Sequence, residues 1–73
     1  MTPKLLAKLV LLELPADGSE VDEYNLLMAV YDSTGPGVGM GDISSVIVDM
    51  VASGALIVRT VSGHPARRYL RRP

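Results

Sequence analysis

The sequence predicts a small α+β domain, three amphipathic helices followed by a C-terminal β-hairpin. Three observations point there. Apolar residues recur at helical spacing in three blocks, each opened by a capping residue. The residues after Gly54 switch to a two-residue alternation rich in Val and Ile. Proline or glycine stands at every junction between these blocks.

The first block opens at Thr2-Pro3, a capping hydroxyl followed by a proline whose missing N–H costs nothing at that position. Leu5, Leu6, Leu9, Val10 and Leu12 form a wide apolar stripe, with Lys4, Lys8 and Glu13 off it. Leu14-Pro15 ends the helix, because a residue before proline is pushed away from helical angles. Pro15-Ala16-Asp17-Gly18 is a turn. Ser19 is expected to open the second helix, with Glu20, Asp22 and Glu23 where the helix dipole favours negative charge. Its expected buried face is Val21, Tyr24, Leu27, Met28 and Tyr31, and it fades near residues 32–34.

The run Gly35-Pro36-Gly37-Val38-Gly39-Met40-Gly41 invites a phosphate-loop reading. It lacks the Gly-Lys-Ser/Thr ending of such a loop, and no strand-like run precedes it. It reads as a connection between helices. Asp42 then caps a third helix whose Ile43, Val46, Ile47, Met50 and Val51 face inward. Ser44, Ser45, Val48, Asp49 and Ala52 face away. Gly54 stops this helix, since glycine takes the left-handed conformation cheaply. Residues 55–61 alternate, Leu56 and Val58 on one face, Ile57 and Arg59 on the other. Ser62-Gly63-His64-Pro65 turns the chain, and residues 66–72 alternate again. Helix, helix, helix, hairpin is the order of a winged helix-turn-helix, here filling residues 1–73 as one domain.

Composition narrows the function. Hydrophobic residues make up 48% of the 73, as a globular core requires. With no cysteine, disulfides and thiolate chemistry are excluded, and a reducing, cytoplasmic setting is expected. Residues 9–12 are the longest apolar run near the start. A secretory signal needs about 7–15 such residues and a membrane span about 20, so no membrane association is expected. Without Phe or Trp, an aromatic platform for single strands is not to be looked for.

Charge is unevenly distributed beneath a net value of −1. Two lysines and all eight acids leave residues 1–58 at −6, whereas five arginines put residues 59–73 at +5. Such asymmetry suggests an anionic partner for the C-terminal segment; a solvated basic end would read the same.

The stretch from Asp42 to Leu70 resembles winged-helix transcription factors, most closely the PadR-like family. The resemblance is carried by Asp42-Ile43-Ser44-Ser45-Val46-Ile47-Val48-Asp49-Met50-Val51, by Ala52-Ser53-Gly54-Ala55-Leu56-Ile57 and by Gly63-His64-Pro65-Ala66-Arg67-Arg68-Tyr69-Leu70. The helix within residues 5–14 is similar to that family's first helix. The resemblance implies a transcriptional regulator that meets double-stranded DNA with its third helix in the major groove and its wing on the backbone or minor groove. Two departures stand out. The family's further dimerisation helix has no counterpart in these residues, so a homodimer would be built another way. The recognition helix also offers no Arg, Lys, Gln or Asn on its outward positions.

The expected DNA-binding residues are therefore Ser44 and Ser45 on the third helix, and Arg59, Arg67, Arg68 and Arg71 on the wing with His64 at its tip. Arg72 adds charge nearby. Tyr69 is expected to pack its ring against the third helix. A second reading is a winged helix that docks on a protein partner, of the kind a short phage or mobile-element regulator carries. Val48, Asp49 and Ala52 suit that reading, and a phosphate would repel Asp49. An enzyme is not expected. His64 lacks a second histidine for a metal and a nucleophile for a triad. Asp22 with Glu23, and Asp42 with Asp49, read as a helix start and a solvated face rather than acid–base pairs. No cofactor is expected.

Overall fold

A computed structural model describes residues 2–60, Gly63 and residues 67–72. Helix α1 spans Pro3–Glu13, α2 spans Glu23–Thr34 and α3 spans Met40–Ala52. Strands β1 (Val21–Asp22), β2 (Leu56–Thr60) and β3 (Arg67–Arg71) form one antiparallel sheet in the order β1-β3-β2. The architecture is α+β, three helices packed on a three-stranded sheet.

Local chemistry sets the helix ends. Thr2 Oγ1 accepts from the Leu5 N–H at 3.2 Å, and Leu14 leaves α1 in an extended conformation. At the end of α3, Gly54 N–H donates to the Val51 carbonyl and Ala55 N–H to that of Met50. This crossed pair closes the helix as a Schellman motif. It requires the left-handed φ of +83° that Gly54 adopts. The chain thereby turns straight into β2.

The second helix starts later than Ser19. The Ser19 N–H is already donated to Asp17 Oδ1, and residues 21–22 pair with β3, Val21 opposite Tyr69 and Asp22 opposite Arg68. Asp22 is the N-cap instead, accepting from the Asn25 N–H and the Asn25 side-chain amide. These two bonds, the backbone one first, hold the Asp22 carboxyl below its ordinary 3.8. A carboxyl lowered in the folded state stabilises the fold above its unfolded value, and that contribution disappears as pH falls through the folded one. We expect the thermal midpoints of wild type and Asp22→Ala to converge as pH drops from about 5 to below 3. A gap that stays constant over that range would assign the cap no role.

The core comprises Leu6, Val10 and Leu14 from α1 and its cap, Leu26 and Val30 from α2, Ile43, Val46, Ile47 and Met50 from α3, and Leu56 and Tyr69 from the sheet. The expected stripe of α3 is the buried one, with Val51 half-buried. The stripes of the other two helices are rotated from expectation. On α1, Leu5 and Leu12 are exposed and the inward row is Leu6, Val10, Leu14. On α2, Tyr24 and Tyr31 lie outside and Leu26 and Val30 inside. In α1 nearly every position is apolar, so period alone cannot choose a face. In α2 the tyrosines reach solvent while shorter aliphatic side chains fill the gap between helices.

Candidate nucleic-acid interface

The ladder between β2 and β3 fixes where each guanidinium points. Directly opposed pairs are Leu56 with Arg71, Ile57 with Leu70, Val58 with Tyr69, Arg59 with Arg68 and Thr60 with Arg67. Opposed residues share a face, and the pleat alternates faces along a strand. Leu56 and Tyr69 are buried against the helices. Arg67 and Arg71 therefore lie on the helix side of the sheet, and Arg59 and Arg68 on its outer side. The expected arginines occupy both faces.

Arg71 is turned onto the backbone of its own chain. Its Nε donates to the Leu14 carbonyl at 3.1 Å and its Nη2 to the Leu11 carbonyl at 2.6 Å, in partly buried positions. These carbonyls belong to the C-terminal end of α1, where helix geometry leaves acceptors unpaired and the dipole favours a cation. Arg71, expected at the DNA, is engaged within the chain instead of extending freely from the ribbon. Arg72 Nη1 similarly donates to the Gly54 carbonyl at 3.1 Å, at an exposed site.

Arg59 and Arg68 are exposed and meet one carboxylate. Glu20 Oε1 lies 2.5 Å from Arg59 Nη1, and Glu20 Oε2 lies 3.7 Å from Arg68 Nη1. Sequence reading did not anticipate Glu20. It precedes β1, and only the pairing of β1 with β3 brings it beside the arginines.

Arg67 projects beside α3. It borders an apolar cleft with Val48, Val51, Val58 and Tyr69, so the Tyr69 ring does meet the third helix. Val48 is 55% exposed and Val58 37%. Asp42, Ser45 and Asp49, spaced three and four apart, lie on the opposite flank of α3 beside Pro3. Asp49 does not border the cleft beside Arg67, yet it shares a flank with Ser45. Ser44 is half-buried and Ser45 exposed, so the two serines fall on different flanks. Gly41, Ser45, Val48 and Ala52 are exposed and uncharged, with the exposed acids Asp42 and Asp49 beside Ser45. Asp42 is the third residue of α3 rather than its cap; its Oδ2 accepts from the Gly39 N–H at 3.3 Å. His64 lies outside the described residues.

The chain matches no family model, no curated protein and no solved structure.

Among the described residues, no helix is long and apolar enough to cross a membrane, and no three or more His, Cys, Asp or Glu gather where a metal could sit.

Proposed function

We propose that the chain is a winged-helix module that binds duplex DNA, with β2 and β3 as the wing and a role in transcriptional regulation. One observation carries this reading. Arg59, Arg67 and Arg68 are all exposed at the same end of the β2–β3 ribbon, Arg67 on the helix face and the other two on the outer one, and Arg67 shares a cleft with Val48 on the exposed side of α3. Phosphates recognise such a cationic ribbon through charge, whereas the small exposed residues of α3 permit close approach without naming a base. Ser44 and Ser45 would supply hydroxyls to the backbone from either flank. Few contacts are on offer, so strong sequence preference would need a second copy of the chain or a partner.

The test is binding of a generic duplex as salt is varied. Three phosphate contacts give a log–log slope near −3, or roughly a 40-fold loss of affinity between about 50 and 200 mM salt. Arg67→Ala should weaken binding and flatten that slope by about 1. A folded protein that fails to retain DNA at low salt, or retains it equally well as Arg67→Ala, would overturn the reading. In that event the apolar cleft between α3 and the ribbon favours the second one. Val48 and Val58 are exposed large hydrophobics flanking it, and a protein partner would cover them.

A further inference from the structure

Arg59 and Arg68 stand directly opposite each other on neighbouring antiparallel strands, and both are largely exposed, 62% and 48% by side chain. Like charges so placed repel and weaken the sheet unless an anion lies between them. Glu20 is that anion. Its carboxylate, 22% exposed, gives one oxygen to each arginine. Asp22, across from Arg68 on β1, acts on that arginine through charge alone, its oxygens being hydrogen-bonded by Asn25 at the start of α2.

We propose that Arg59 and Arg68 form a phosphate-binding fork which Glu20 fills in the free protein, so that a DNA phosphodiester enters only by displacing the Glu20 carboxylate. The inference rests on the DNA-binding reading above. A guanidinium presents its N–H groups in a planar fork that fits carboxylate and phosphate alike, so the two anions compete for the same donors. An exposed ion pair of this kind adds little net stability and exchanges readily. Both arginines keep solvent-facing surface through which a phosphate can approach before the carboxylate leaves. Glu20 thus lowers affinity for DNA while relieving the repulsion between the arginines when DNA is absent.

Glu20→Gln keeps the shape and removes the competing charge. The variant is expected to bind a generic duplex about 3- to 5-fold more tightly than wild type, the ratio a surface ion pair is worth. Its salt slope should stay close to that of wild type, since the same phosphate contacts are made once the carboxylate is displaced. Adding Arg59→Gln to Glu20→Gln should abolish the gain. If wild type binds DNA with the expected salt dependence and Glu20→Gln binds no better, the fork is wrong and the DNA reading stands. If neither folded protein binds, both fall. Should Glu20→Gln fail to fold, the Arg59 Nε–Hε resonance of wild type decides: it must shift on titration with duplex, and an unmoved signal at saturation overturns the proposal.

Discussion

Leu26→Ala is expected to destabilise the domain by about 2–5 kcal/mol, whereas Leu12→Ala leaves stability nearly unchanged. Leu26 is fully buried between the helices, among the largest side chains with no solvent contact. Truncating a buried leucine removes transfer energy and leaves a cavity, costing about 2–5 kcal/mol. A chain of this length has roughly 4–11 kcal/mol of stability in total. The loss is thus from about a fifth upward of everything holding the domain together, and the urea midpoint should fall by about 2 M. Leu12, 72% exposed on the opposite side of α1, should stay within about 0.5 kcal/mol of wild type. Equal losses at the two positions would mean that α1 is rotated from the face described.

Arg71→Met should destabilise the domain by about 2–3 kcal/mol, the range for charged hydrogen bonds whose partners are left partly buried. The Leu14 carbonyl loses its donor, the Leu11 carbonyl keeps only the Leu14 N–H, and the tie between α1 and the last strand is cut. Arg72→Met removes a single exposed bond and should cost under about 1 kcal/mol. DNA affinity per folded molecule should be unaffected by Arg71→Met. Thermal melts paired with binding isotherms separate these effects. A melt unchanged by Arg71→Met combined with weakened binding would return Arg71 to the interface.

These expectations differ from what the sequence alone suggests, and the differences have physical causes. The inward row of α3 was legible because Ile43, Val46, Ile47 and Met50 contrast with Ser, Asp and Gly on the other side. Leu56 and Tyr69 were legible for a similar reason: strand alternation leaves one face to bury. In α1 that contrast is missing, since leucines occupy both faces, and only the packing of α2 and α3 selects Leu6, Val10 and Leu14. Strand β1 is two residues long and has no period to read. It is a strand only because β3 presents a free edge to it. The partners of the arginines were illegible for the same reason. Whether Arg59 meets Glu20, or Arg71 the end of α1, depends on contacts between distant parts of the chain, and no local pattern encodes them. Glycines 35–41 were read as a connection, and α3 begins inside them, Gly39 being its N-cap. Asp42 had drawn that boundary three residues late.

The position of β3 in the middle of the sheet has a consequence for biosynthesis. Its two neighbours come from early and late in the chain, yet neither pairs with the other, and β3 itself is translated after both. Until residues 67–71 are in place, β1 and β2 have nothing between them. Tyr69 and Arg71 complete the structure as the last turn of a key does, fastening the start of the chain and its middle in one late event.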